Sequence, residues 1–377
     1  MAKYKLGDIV TLLNGRAYLM PELQDSGKYR ILRVGNLSGG NDSWYYSDME
    51  LDENKYCENG DLLYAWACNF GPHIWREEKV IYHYHIWKLV ENKEKVDRTY
   101  LYYYLLHQTP FYLGGVNGAT MVHITKKNME KKTVYIPSSL NVQHRIASIL
   151  STYDSLIENN TKRIRLLEKM AENLYKEWFV RFRFPRHENV EMENGLPKGW
   201  KRGSLSDVCE FKRGKNITSS EMQEGNVPVI SAGLEPSGYH SCSNVRGVNV
   251  TMSSSGANAG YIAIHYSDIW AADCSYIEES TTGNIYYVYE LLNNIRTVIN
   301  NFQRGAAQPH VYPKDVNRIK LILPSKELML IANGRLEIMH KEIYNLQKQN
   351  SLLARQRDLL LPRLMSGKLE VKEELLE

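Results

Sequence analysis

Residues 146–178, IASILSTYDSLIENNTKRIRLLEKMAENLYKEW, decide the architecture of this chain. Ile146, Leu150, Tyr153, Ile157, Asn160, Ile164, Leu167, Ala171, Leu174 and Trp178 step along it by four and three alternately. This a/d heptad seam, apolar but for Asn160 and held over more than four heptads, is the pattern of a coiled coil. At about 1.5 Å per residue such a helix is a rod of ~50 Å, long enough to hold two globular domains well apart. A second seam runs through Leu336, Met339, Ile343, Leu346, Asn350, Leu353, Arg357, Leu360 and Leu364. Asn160 and Asn350 lie on the seams, where a buried amide is tolerated mainly to set register. Matched seams predict that the two helices pack on each other. The plainer alternative is that each packs on its own globular domain.

Outward from the seams, the chain repeats itself. Leu6-Gly7-Asp8-Ile9-Val10 recurs as Leu205-Ser206-Asp207-Val208-Cys209, and Gly15 is matched by Gly214. Gly118-Ala119-Thr120-Met121-Val122-His123 recurs as Gly305-Ala306-Ala307-Gln308-Pro309-His310, and Ile136-Pro137-Ser138 as Leu323-Pro324-Ser325. Matches in the same order at a nearly constant offset mean that one unit was duplicated, which implies an approximate two-fold axis. Residues 1–145 and 200–325 are the two globular domains, each followed by a seam helix, 146–184 and 326–366. A linker rich in Pro and Gly covers 185–199, and a tail covers 367–377.

Both domains read as mostly β. Val80 to Trp87 and Tyr261 to His265 are strand-like runs. Tyr100 to Leu106 and Ile285 to Leu292 occupy matching positions and read as short helices, with strands as the alternative. Strand-rich domains on long helices make an α+β protein. Their loops carry side chains suited to reading DNA: Arg to guanine, Asn or Gln to adenine, Lys to phosphate. In the first domain these are Arg16 and Tyr18, Arg33 and Asn36, then Trp66, Asn69, His73, Trp75 and Arg76 around Gly71, and Asn117, Thr120, His123, Lys126 and Lys127. In the second they are Arg213, Lys215 and Asn216, Ser254 and Asn258, and Gln303, Arg304, Gln308 and His310. The repeats differ most in these loops, as two readers of different sequences built on one frame would.

A net charge of +4 is mild for a nucleic-acid binder, whose affinity rests largely on phosphate neutralisation. With 26 Tyr against 7 Phe, the chain favours side chains that are apolar in body and polar at the tip. No phosphate-binding G-x-x-x-x-G-K-[ST] loop occurs, and no two prolines are adjacent, which excludes the [DNS]-P-P-[YFW] site of amino-methyltransferases. His83 and His85 have strand spacing for metal ligation but no third ligand at a recognisable distance, and no catalytic or metal-ligating residue is expected. Ser253-Ser254-Ser255-Gly256 lacks the G-x-S-x-G frame of a nucleophile elbow and reads as a turn. The five cysteines have no C-x-x-C spacing, so neither disulfides nor zinc are indicated. No stretch has the ~20 apolar residues of a membrane span and Met1 to Asp8 has no signal-peptide core, so a cytoplasmic protein is expected.

Three stretches carry a family resemblance. Ile136-Pro137 with Gln143-His144-Arg145-Ile146-Ala147, Ile157-Glu158-Asn159-Asn160 and Leu174-Tyr175-Lys176-Glu177-Trp178-Phe179-Val180 resembles the central conserved region of type I restriction–modification specificity subunits. Gly195-Leu196-Pro197-Lys198-Gly199-Trp200 before Leu205-Ser206-Asp207-Val208 is similar to the start of their second target-recognition domain. Arg357-Asp358-Leu359-Leu360-Leu361-Pro362-Arg363-Leu364-Met365-Ser366-Gly367-Lys368-Leu369 is similar to their C-terminal conserved region, although Arg357 interrupts the apolar seam. The resemblance implies two target-recognition domains separated by antiparallel helices, each reading half of a bipartite site on double-stranded DNA. It implies two modification subunits that bind S-adenosylmethionine and methylate adenine, and restriction subunits that use ATP and magnesium. This chain would carry no cofactor and no activity of its own. Recognition subunits of type IIB enzymes share the layout, and a coiled-coil adaptor without DNA binding is the alternative of another class.

Overall fold

Ser139 and Ser325 each follow a Pro-containing segment and each start a long helix. The hydroxyl of Ser139 accepts the N–H of Val142 at 3.4 Å and that of Ser325 accepts the N–H of Leu328 at 3.2 Å, filling donors that the first turn leaves open. In the computed structural model, which describes residues 1–37, 43–113, 124–305 and 308–372, the helices run Leu140–Tyr175 and Lys326–Met365. The first passes into a single π-turn, Lys176–Val180. The second stops at Gly367, whose φ of +72° makes the left-handed turn that ends many helices. Every predicted seam residue is buried or half-buried. No helix among the described residues is long and apolar enough to cross a membrane.

Contacts divide the chain into Met1–Glu158 with Ser351–Glu377, and Asn159–Asn350. The division cuts across both long helices, so each unit is one strand-rich domain with a portion of each helix. Within the first unit, Ala2–Lys5 pairs antiparallel with Thr133–Ile136. One sheet has the order Val10–Asn14, Ile86–Glu91, Leu62–Ala65, Gly71–Ile74, and the other Tyr45–Ser47, Tyr29–Leu32, Val80–Tyr82, Tyr56–Cys57. Within the second, Lys201–Ser204 pairs with Lys320–Leu323. Its sheets are Lys212–Arg213, Cys274–Glu278, Asn249–Ser253, Ile262–His265, and Gly238–His240, Val227–Ile230, Trp270–Ala271. The order is shared except that Tyr56–Cys57 has no counterpart strand in the second unit, and each unit has one parallel strand pair, Tyr29–Leu32 with Val80–Tyr82 and Val227–Ile230 with Trp270–Ala271. The repeat in the sequence is thus a repeat of topology. Around the linker, Met192–Glu193 and Leu196–Pro197 form a short hairpin.

The Leu-x-Asp repeat has a local cause. Leu6 and Leu205 are fully buried, and their N–H groups donate to the carbonyls of Lys132 and Ile319 at 2.8 and 2.9 Å. Two residues on, Asp8 and Asp207 accept the N–H of Lys5 and Ser204 at 3.2 and 2.7 Å, closing the turn. The tyrosine-rich stretches are helices, Arg98–Leu113 and Ile285–Asn294. One expectation is corrected: Val80 to Trp87 is not one strand. It is Val80–Tyr82 and the start of Ile86–Glu91, with a turn at His83, Tyr84 and His85 where the chain crosses between sheets. His83 and His85 therefore do not share a strand face, and among the described residues no group of three or more His, Cys, Asp or Glu could hold a metal.

Each long helix grips its domain through one buried amide. Gln143, fully buried, accepts the N–H of Asp97 at 2.8 Å and donates to the carbonyls of Lys95 and Pro137 at 3.0 and 2.8 Å. Asn333 accepts the N–H groups of both Tyr286 and Tyr287 at 3.1 Å. These donors belong to the beginnings of the tyrosine-rich helices and have no partner within their own helix. Around the amides, Ile146, Leu150, Leu361 and Leu364 join the core of the first unit, and Ala171, Tyr175, Ala332 and Leu336 that of the second. Gln143→Ala and Asn333→Ala each strand buried donors and are expected to cost about 1–3 kcal/mol, measured as a lowered midpoint of chemical unfolding.

Candidate nucleic-acid interface

Gly15 and Gly214, matched in the sequence repeat, face the same obstacle. A Cβ on Gly15 would lie 2.4 Å from the carbonyl oxygens of Tyr82 and His83, and one on Gly214 2.4 Å from that of Ala272. Only glycine lets the crossing turn pass so close. In the first unit that turn is His83–Tyr84–His85. The N–H of His83 donates to Leu32 at 2.9 Å, that of Tyr84 to Arg16 at 3.0 Å, and the carbonyl of His85 accepts from Trp66 at 3.1 Å. The Trp66 indole N–H donates to the carbonyl of Tyr84 at 2.8 Å. In the second unit the crossing is Ala272–Asp273. The N–H of Ala272 donates to Ile230 at 2.8 Å and that of Lys215 to Ala271 at 2.9 Å.

These bonds gather loops far apart in the chain. Arg16 and Tyr18, Arg33 and Asn36, and Trp66 and Asn69 lie on the three segments, or next to those segments, that bind the first turn. In the second unit, Lys215 and Asn216 flank the crossing, and Asp273 accepts the hydroxyl of Ser255 at 2.5 Å. Ser255 bridges to His310 and His310 to Arg304, while Gln303 donates to the carbonyl of Ala259 at 2.8 Å. Ser254, Asn258, Gln303, Arg304 and His310 therefore belong to one connected patch. Arg213 is exposed on the strand leading to Gly214, and Gln308 is exposed beside His310. Asn117, Thr120 and His123 lie outside the described residues.

Other candidates stand elsewhere or face inward. Trp75 is 6% exposed, its indole N–H held by the carbonyl of Glu78 and its ring edge-on to Trp44, so it is a core residue. Ser254 is buried at the base of the patch. Tyr18 is half-buried against Tyr56 and Ile81, and its hydroxyl has no partner among the described residues. His73 is half-buried within the ladder to Leu63, and burial lowers its pKa. Arg76 pairs with Glu158 on the first long helix. Lys126 and Lys127 open the short helix Lys126–Glu130, which packs on Leu6–Asp8 rather than on the turn.

Charge sorts the rest. Arg16 is held bidentately by Glu22 at 2.7 and 3.0 Å, and Arg304 pairs with Asp315 at 2.9 Å. Arg33 instead lies over the ring of Tyr45 at 4.5 Å, and among the described residues no carboxylate forms an ion pair with Arg33, Arg213 or Lys215. Among the candidate cations around the crossings these three carry a charge that no described carboxylate neutralises, which is what counterion-releasing contacts to phosphate require. His83, Tyr84, His85 and Asp273 lie at the crossings although no motif in the sequence sets them apart as a site. The aligned glycines Gly15 and Gly214 were the signal, since both mark a close approach of another segment.

The profile of the family described as the type I restriction modification DNA specificity domain matches residues 1–169 and again 197–349, and the chain belongs to that family. It is similar to the type I restriction enzyme MjaIX specificity subunit of Methanocaldococcus jannaschii, 26% identical over 307 residues that cover 74% of this chain and 71% of the relative. It is also similar to the MjaVIII specificity subunit of that organism, 26% identical over 60% of this chain and 53% of the relative, so it spans about half of that protein. The fold matches the crystal structure of a type I restriction–modification S subunit from M. genitalium, with a TM-score of 0.65 at 19% identity over 96% of this chain and 95% of that one. The family is that of DNA specificity, a recognition role rather than a catalytic one.

Burial lowers the pKa of His83 to about 4, with His85 and Arg33 adding to the shift. The folded imidazole stays neutral while the unfolded one takes a proton near pH 6.5. The stability this provides is whole above about pH 6.5 and is lost as pH falls towards 4. His83→Gln is expected to reduce the loss of thermal stability over that window, measured by unfolding at a series of pH values.

Proposed function

We propose that this chain is the DNA-reading subunit of a type I restriction–modification complex, each unit reading one half of a bipartite target. The observation that carries this is the doubled frame. Two units share the order of all but one strand, and the family profile matches twice. Yet the segments around the crossing turns differ: Arg16, Arg33 and Trp66 in one unit, Lys215, Asp273 and His310 in the other. A duplicated protein that kept its frame and changed its loops is suited to two half-sites of unlike sequence.

In this reading the long helices set the spacer between half-sites and dock two modification subunits. Those subunits bind S-adenosylmethionine and methylate adenine, and restriction subunits add ATP- and magnesium-dependent translocation and cleavage. The chain works in the cytoplasm, beside the DNA, and holds no cofactor. A type IIB enzyme would use the same recognition layout. A 36-residue helix is ~54 Å long, ample for half-sites about one DNA turn, ~34 Å, apart.

Long-read methylation mapping in cells with and without the gene, its modification partner present, tests the role. A bipartite adenine-methylated motif that disappears with the gene is expected. An unchanged methylome, with the partner confirmed active, overturns the reading in favour of a coiled-coil adaptor. Removing one heptad from both long helices is expected to change the spacer, or abolish assembly, while the bases read in each half stay the same. An unaltered spacer in an assembled complex would refute the ruler role of the helices.

A further inference from the structure

The crossing turns are braced by main-chain bonds from other segments, while their side chains differ completely between the units. At the first turn, main-chain bonds to Leu32, Arg16 and Trp66, with the Trp66 indole, hold three consecutive residues. At the second, bonds to Ile230 and Lys215, and the glycine at 214, hold the same crossing. A frame held this tightly presents its side chains without the entropy cost of ordering a loop on binding. The first turn carries His-Tyr-His and the second Ala-Asp. None of the three rings is fully buried. Tyr84 is 39% exposed, and its hydroxyl bonds to no described residue. Its ring lies 4.0 Å from that of His85, which is edge-on to Trp66 at 5.1 Å between centroids.

We propose that His83–Tyr84 and Asp273 are the specificity-determining residues of the two units, one turn offering hydrogen-bond donors to a base edge and the other an acceptor. The Nδ1 of His83 accepts the N–H of His85 at 3.4 Å. A neutral ring with Nδ1 as acceptor carries its proton on Nε2. That nitrogen then donates, matching N7 or O6 of guanine, N7 of adenine or O4 of thymine. Burial keeps the ring in this neutral form at neutral pH. The Tyr84 hydroxyl, on a ring whose centroid lies 4.4 Å from that of His83, adds a second hydrogen-bonding group to the turn. Asp273 offers only oxygens, one already taken by the Ser255 hydroxyl, and so selects an exocyclic amino group of cytosine or adenine. Because the glycines and main-chain bonds are independent of these side chains, specificity can change here without rebuilding the fold.

The inference rests on the DNA-reading role proposed above, and the test separates the two. The parent chain with its modification partner must first yield a bipartite methylated motif; if it yields none, the role itself fails. Against that motif, Tyr84→Ala and His83→Ala are expected to relax one or two positions in one half-site. Asp273→Asn should alter the other half only. Discrimination at each relaxed position should fall on the order of ten-fold or more. Thermal unfolding of each variant identifies any that misfold, and for those Tyr84→Phe and His83→Gln are mapped instead. Folded variants that methylate the parent motif unchanged at every position overturn the proposal, as does relaxation that affects both half-sites alike.

Discussion

The buried amides of Gln143 and Asn333 are the contacts on which the rest of each unit depends. A helix start leaves N–H groups without partners, and here they are met from a long helix rather than by water. The bond is directional, so it fixes where the tyrosine-rich helix sits and with it the sheet that packs on that helix. Apolar burial of Leu150, Leu336 and their neighbours supplies the larger energy but little direction. The amides add what burial does not: one allowed position.

Nearby polar contacts show how a duplicated frame diverges. Tyr103 and Glu290 occupy corresponding places on the tyrosine-rich helices, and each meets a corresponding residue of a long helix. In the first unit Tyr103 donates to Asp154, which also binds Arg357. In the second, Glu290 meets the buried His340 at 3.2 Å, with the Tyr266 hydroxyl 2.9 Å from its other ring nitrogen. Arg357, which interrupts the seam in sequence, is thereby given a partner rather than left as a buried charge. The contact persists while its chemistry is exchanged. The crossing turns show the same behaviour at the surface, where the frame is kept by glycine and main-chain bonds alone.

The seams were also legible in one dimension but not in full. Asn160 and Asn350 interrupt the apolar seams, and each meets a polar partner in the second unit, Gln349 and Thr161, at 3.4 Å. Heptad spacing could show that these positions face inward. It could not show that the contacts of the chain would divide across the helices, because that depends on which domain covers each stretch of seam.

By itself the sequence determined the duplication, the two long helices and the strand-rich character of the domains. These follow from order and periodicity, which act over a few residues and repeat visibly. Much of the candidate surface was legible too, since Arg16, Arg33, Trp66, Lys215 and Arg304 are polar or aromatic residues in loops. Tertiary structure alone decided which of them converge. Trp75 left the surface because neighbouring strands buried it, and Val80 to Trp87 broke at His83 because Gly15 lets the chain cross there. Convergence of that kind is made by hydrogen bonds between segments dozens of residues apart, and no local pattern in the sequence records them.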